Sequence, residues 1–331
     1  MKKIINVPEQ VVEDMLQGIA AAHPQYVKRL EGANVLVRAQ KAPNKVALVS
    51  GGGSGHEPAH GGFVGKGMLD GAVAGAVFTS PTPDQVYEAV KAVDNGSGVL
   101  LIIKNYTGDV MNFEMAAEMA AADGITVERV TVNDDVAVEN STWTIGRRGI
   151  AGTIFVHKLA GAKAETGADL SEVKRIAEKT IQNVRSFGMA LSPCTVPAAG
   201  KPSFTLAENE VEIGMGIHGE PGTHREIIRT ADETAATLLD KILADMPVAA
   251  GEEVAVLING LGATPAMELY IVNNKVASLL KAKGIHTVKT FVGNYMTSLE
   301  MAGFSITLLK LDSELKDLLL APADTPALVQ F

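Results

Sequence analysis

Short apolar runs alternate with amphipathic segments along most of this chain. Residues 45–50 (KVALVS) read as a strand. Thr82 stands where a helix N-cap is expected, Pro83 takes the first helical position, and Val86, Val90 and Val93 fall on one helical face. Residues 99–103 (VLLII) form a continuous β-branched and leucine run, the pattern of a strand covered on both faces. Residues 111–122 read as a helix with Met111, Met115 and Met119 at core spacing, stopped at Asp123-Gly124. Residues 126–132 read as the next strand. A second unit follows, with a helix over 171–186, strand-like residues 210–215, a strand over 254–258, a turn over 260–264 with Pro265 opening a helix, and a late strand over 304–311. The alternation predicts two α/β domains, each with a mostly parallel or mixed sheet flanked by helices. The proline- and glycine-rich stretch 192–203 is read as the seam between them. The expected division is 1–186, carrying His56, Lys104 and Asp109, and 187–331, carrying His218.

Composition narrows the class. A chain of 331 residues fits two domains, and 47% hydrophobic with 20% charged residues is enough apolar material for a sizeable core. The net charge of −9 argues against a nucleic-acid backbone or an anionic membrane as partner. One cysteine, Cys194, cannot form an internal disulfide, which fits a reducing cytoplasm. The N-terminal MKKIINVPEQVVEDM lacks the apolar core of a signal peptide, and no apolar run approaches a bilayer's thickness. A cytoplasmic protein is therefore expected.

In open α/β sheets ligands sit beyond the carboxyl ends of the strands, where three polar glycine loops are placed here. They are GGGSGHEP (51–58), KNYTGD (104–109) and GIHGEPG (216–222). His218 between glycines is open to close approach by a small molecule, as nucleophile or acid/base, or it orders the turn. His56 has the same two readings, with Ser54 and Glu57 as possible local partners. Asp109 is a general base or a helix N-cap. Lys104 binds a polar oxygen or is solvated. Arg147-Arg148 binds an anion, docks a partner or is exposed. Asn133, Asp134 and Asp135 hold a cation or form a solvated turn. His23, His60, His157, His224 and His286 have no context that lifts them above surface or core roles.

Several strings mislead. HEPAH (56–60) matches the zinc-protease pattern, but Pro58 lies inside it and no third ligand is evident. Gly214, Gly216 and Gly219 satisfy G-x-G-x-x-G, yet Asp240 at the required distance falls in a helix-like run. His218-Gly219-Glu220 matches the H-x-E of zinc deaminases without their cysteine pair, and no Walker A loop is present.

Eight strings in order resemble one family. They are GGGSGHEP, FTSPTPDQ (78–85), LLIIKNYTGD (100–109), GRRGIAG (146–152), CTVPAAGKPSF (194–204), GIHGEPG, LGATP (261–265) and MAGFSITLL (301–309). Over essentially the whole length the chain resembles the dihydroxyacetone-binding subunits of dihydroxyacetone kinases, in their phosphotransferase-dependent form. The resemblance implies a phosphoenolpyruvate–glycerone phosphotransferase in which His218 attacks the substrate carbonyl to give a hemiaminal. It implies that His56 works in proton transfer, Asp109 is the base for the accepting hydroxyl, and Gly53, Ser54, Gly55, His56, Lys104 and Asp109 contact dihydroxyacetone. It further implies a homodimer with no cofactor or metal of its own. ADP/ATP and magnesium would come on a separate L subunit, recharged through an M phosphotransfer subunit. A non-catalytic relative that binds dihydroxyacetone and activates transcription is the alternative. Retention of His56 and Asp109 beside His218 favours the enzyme.

Overall fold

The structure is a computed structural model describing residues 2–139, 144–220 and 222–331. Pro221 of the GIHGEPG string lies outside the described residues. Six strands build the first sheet: β1 (Val27–Arg29), β2 (Val35–Arg38), β3 (Ala47–Ser54), β4 (Gly71–Val77), β5 (Val99–Lys104) and β6 (Val127–Val132), in the order β1-β2-β4-β3-β5-β6. The block β4-β3-β5-β6 is parallel, while β1 and β2 are antiparallel additions at one edge. The helices of this half are α1 (Val11–Ala22), α2 (Pro83–Val93), α3 (Thr107–Ala122), α4 (Thr153–Glu165) and α5 (Leu170–Gln182).

The second sheet comprises β7 (Val184–Ala190), β8 (Glu210–Ile213), β9 (His224–Ile227), β10 (Glu253–Gly260), β11 (His286–Gly293) and β12 (Gly303–Leu311). Its order is β11-β10-β12-β7-β8-β9, and only the β10–β11 pair is parallel. Its helices are α6 (Ala231–Asp245), α7 (Ala266–Ala282) and α8 (Ser313–Leu320).

Period-two burial shows how the layers stack. On β5, Val99, Leu101 and Ile103 join the cluster with Val86 and Val90 of α2 and Phe113 of α3, while Leu100 and Ile102 face the opposite way. On β10, Val254, Val256 and Ile258 pack with Leu238 of α6 and Val276 of α7, while Ala255 and Leu257 face the opposite way. These two inward sets belong to one cluster, with Phe155 of α4, Ile176 of α5 and Leu315 of α8. The helices α4, α5 and α8 thus form a middle layer shared by both sheets. This shared layer is why loops from both halves can meet at one place.

Local signals decide most boundaries. Thr82 is the N-cap of α2 with Pro83 in its first turn, and Gly124 after α3 has φ +81°, as a helix stop requires. Four expectations are corrected. The GGG of GGGSGHEP is strand rather than loop, because β3 continues to Ser54 beside β4. The helix α3 starts at Thr107, so Asp109 sits inside its first turn rather than capping it. Met111 and Met115 are 57% and 52% exposed; the buried face of α3 is Phe113, Ala116, Ala117 and Ala120, whose small side chains bring the helix close to the sheet. The helix expected over 171–186 ends at Gln182, and Ser186 instead lies in β7, bonded to Thr307 of β12. Among the described residues no helix is long and apolar enough to cross a membrane.

Candidate active site

The parallel strands β4, β3 and β5 end side by side, so Phe78, Ser54 and Lys104 reach one rim. Lys104 is fully buried, and its Nζ donates to the Gly51 carbonyl at 2.8 Å and to His60 Nε2 at 2.8 Å. Asp109 Oδ2 lies 3.8 Å from the same Nζ, and Ser80 Oγ donates to Asp109 Oδ1. Burial pushes the Asp109 carboxyl up, with the Lys104 ammonium and the Ser80 hydroxyl pulling it back. Burial likewise lowers Lys104, with Asp109 opposing. Gly52 must be bare: its φ is +149°, and a Cβ there would lie 2.4 Å from Lys104 Nζ and 3.2 Å from Asp109 Oδ2. The Ser54 hydroxyl is committed to the Gly75 carbonyl at 2.7 Å, and the Gly55 amide faces the Glu57 carboxylate at 3.1 Å.

The second half contributes His218. Its Nε2 lies 3.1 Å from His56 Nε2. His56 is held from behind, since Nδ1 meets the Thr297 carbonyl at 2.9 Å while Thr297 N donates to the His56 carbonyl at 3.1 Å. A carbonyl only accepts, so His56 Nδ1 carries its proton and the Nε2 of the neutral ring is bare. The proton between the two rings then belongs to His218 Nε2. Phe78 stacks on His56 at 5.2 Å, and Tyr106 meets the His218 ring edge-on at 4.4 Å. Burial, followed by the charges of Lys104 and Arg148, lowers His218 to about 3; burial and His218 hold His56 well below the usual histidine range.

A buried ionic chain fixes the His218 turn. Glu220 Oε2 accepts from the His218 backbone N–H at 2.8 Å, and Glu220 Oε1 lies 4.0 Å from His218 Nδ1. Arg148 Nη1 is 3.5 Å from Glu220 Oε1, and Arg148 Nη2 is 2.6 Å from Asp135. A Cβ on Gly216 would lie 2.2 Å from Glu220 Oε1, so the bare backbone there leaves room for the carboxylate where it lies.

Several readings change accordingly. Arg148 is fully buried rather than exposed or free for an anion, and Arg147 pairs with Asp245 at 2.5 Å. Asp134 and Asp135 form no solvated turn: both are fully buried, Asp134 accepting from the amides of Ile150 and Gly152. His60 and His157 are not idle, because His60 Nδ1 bonds His157 Nε2 at 2.9 Å behind Lys104. The rings of HEPAH turn to different partners, and no group of three or more His, Cys, Asp or Glu that could hold a metal occurs among the described residues.

Gly53, Phe78, Ser80, Tyr106, Asp109 and His218 line one open cleft of about 800 Å³. His56 and Lys104 stand one contact behind that lining. Sequence reasoning singled out His56, Lys104, Asp109 and His218. It missed Phe78, Ser80 and Tyr106, although all three lie within strings it had quoted.

The chain is 58% identical over 328 residues to a dihydroxyacetone-binding subunit of a PTS-dependent dihydroxyacetone kinase from Listeria innocua, covering 99% of this chain and all of that one. It is 46% identical to the corresponding subunit of the PEP-dependent kinase of Escherichia coli K12, covering 99% of each chain. The dihydroxyacetone kinase of C. freundii with AMP-PNP and Mg2+ superposes with a TM-score of 0.92 at 39% identity, covering 99% of this chain and 61% of that one. A dihydroxyacetone kinase operon co-activator superposes with a TM-score of 0.91 at 38% identity, covering 96% and 98%. The curated relatives are named as kinases, phosphotransferases with an alcohol group as acceptor. With residues 17–327 matching the Dak1 domain and this identity along the full chain, the protein belongs to the Dak1 family of dihydroxyacetone kinase subunits.

Proposed function

We propose that this chain is the substrate-binding catalytic subunit of a phosphoenolpyruvate-dependent dihydroxyacetone kinase, capturing its ketone covalently on His218. The observation that carries this reading is the 3.1 Å contact between His218 Nε2 and His56 Nε2 at the cleft that Asp109 also lines. As His56 Nε2 takes the Nε2 proton of His218, the in-plane lone pair of that nitrogen is freed and forms the C–N bond to the carbonyl carbon while the C=O π bond opens. The proton then passes from His56 to the ketone oxygen. The product is a neutral hemiaminal, and His56 is restored. Glu220 holds the turn in place through its bond to the His218 backbone N–H.

Covalency matches the ligand. A three-carbon ketone offers few contacts, and each hydroxyl bond made in the site replaces one made to water. Glycerol has no carbonyl and is rejected by the chemistry itself. Once held, the terminal hydroxyl needs a base within hydrogen-bond reach, and Asp109 lies on the same wall. Residues 1–186 supply Gly53, His56, Lys104 and Asp109 in this scheme, with Ser54 and Gly55 shaping the turn, and residues 187–331 supply His218. The donor is ATP, carried with magnesium by a separate L subunit and regenerated from phosphoenolpyruvate through an M subunit. The chain works as a cytoplasmic homodimer.

The fold does not separate this reading from a co-activator, since one superposes as well as a kinase does. Asp109 held against Lys104 in the cleft favours the transferase, because capture alone needs no base for the hydroxyl. Reconstitution with cognate L and M subunits and phosphoenolpyruvate is expected to yield dihydroxyacetone phosphate. No phosphorylation with active partners would transfer support to the co-activator reading.

Capture is also expected to be nearly independent of pH from 8 to 5. A histidine of ordinary pKa, near 6.5, would lose about tenfold of its neutral form between pH 7.5 and 5.5. Burial lowers His218 to about 3, so its ring stays neutral across that span and takes up a proton only as the pH falls further. Calorimetric titration with dihydroxyacetone at pH 7.5 and 5.5 tests this: affinities within about twofold are expected, and an affinity about tenfold weaker at pH 5.5 would contradict a neutral resting ring.

A further inference from the structure

Two buried histidines with no part in capture stand behind Lys104. His60 is 6% exposed and His157 is 0% exposed. A charged ammonium has three protons and no lone pair. The Gly51 carbonyl takes one Lys104 proton and His60 Nε2 a second, both at 2.8 Å, leaving the third toward Asp109 Oδ2 at 3.8 Å. Since Lys104 can only donate, His60 Nε2 is the bare nitrogen and the ring's proton sits on Nδ1. That proton is given to His157 Nε2 at 2.9 Å, which places the His157 proton on Nδ1. His157 Nδ1 has no hydrogen-bond partner among the described residues. The charge on Lys104 therefore sets the direction of the whole chain of bonds.

We propose that His60, braced by His157, is a positioning residue for Lys104: by holding one ammonium proton it aims the remaining N–H at Asp109 and the bound substrate. A proton relay is the competing use of such a chain. It would need one of the rings to hold a proton in passing. The chain has nowhere to hand a proton on, since His157 Nδ1 meets no partner among the described residues, and burial with Lys104 keeps both rings neutral, which suits a fixed brace and not a carrier. The titratable groups facing Lys104 are Asp109 from α3, His56 and His60 from the loop after β3, His157 from α4 and His218 across the cleft. Losing the His60 acceptor weakens the charged form of Lys104. Asp109 then loses part of its countercharge and its carboxyl titrates at higher pH.

The kinetic part of the test rests on the reading of Asp109 as base; the spectroscopic part does not. In the unmodified protein carrying 15N-histidine, NMR at neutral pH is expected to show His60 and His157 both neutral with the proton on Nδ1. A proton on His60 Nε2, or a charged ring, overturns the proposal whatever the activity. In the reconstituted kinase, His60→Leu is expected to move the acid limb of the kcat profile up by about one pH unit. His60→Gln, whose amide oxygen offers an acceptor, is expected to restore the limb. An unmoved limb in a folded His60→Leu protein, or equal losses in both variants, overturns it too. If the unmodified protein transfers no phosphate at all, the functional reading fails while the NMR result still decides the role of His60.

Discussion

His218→Ala is expected to abolish retention of dihydroxyacetone and to lower turnover at least about 10³-fold, the order of loss seen when a covalent group is deleted. Without the ring only hydroxyl contacts remain, each with a net worth of about 0.5–1.5 kcal/mol because water makes the same bonds. The bond also sets the orientation of the accepting hydroxyl, so its removal costs kcat as well as affinity. The variant should fold. The His218 side chain is 16% exposed at the rim of an open cleft, and the turn is anchored by the backbone bond to Glu220, which alanine keeps. Gel filtration with labelled dihydroxyacetone reads retention, and a thermal melt checks the fold. A ligand-soaked crystal of the unmodified protein with the ketone lying beyond bonding range of Nε2 would remove the basis of this expectation.

The parts of this molecule that were legible beforehand are those governed by local chemistry. The unbroken run at 99–103 announced a strand covered on both faces, and Thr82-Pro83 and Asp123-Gly124 marked helix ends through backbone constraints that need no partner. His56, Lys104, Asp109 and His218 stood out because each follows a strand in bare, glycine-rich sequence. Residues whose role depends on distant partners were not legible. Nothing near His60 or His157 in sequence says that Lys104 will be placed 2.8 Å from the first ring. Arg148 looks like a surface residue until Asp135 and Glu220 close around it. Met111 and Met115 show the limit of periodicity: the spacing was helical, but Phe113 and three alanines took the packed face. The glycines of GGGSGHEP read as a loop because glycine is rare in strands. Here they extend β3 because side chains would strike its neighbours: a Cβ on Gly51 would lie 2.4 Å from the Val73 carbonyl.

Asp109→Asn separates capture from transfer. The amide keeps the shape of the carboxylate and a hydrogen bond to Ser80, but it cannot take the proton of the substrate hydroxyl. Turnover with the L subunit is expected to fall by about 10²–10⁴, the usual worth of a positioned base. Formation of the hemiaminal should persist, because His218 and His56 exchange their proton without Asp109. The substitution also removes the countercharge 3.8 Å from Lys104 Nζ. Burial already lowers that lysine, and without Asp109 it moves further toward the neutral amine, so the cost is met largely by deprotonation rather than by unfolding. The expected pattern is therefore specific: covalent density at His218 unchanged, kcat reduced, and the melting temperature lowered by only a few degrees, as a loss of about 1 kcal/mol would do in a protein of this size. Loss of the adduct together with turnover would place Asp109 in the capture step instead. Undiminished turnover would mean that another group, or the L subunit, accepts the proton.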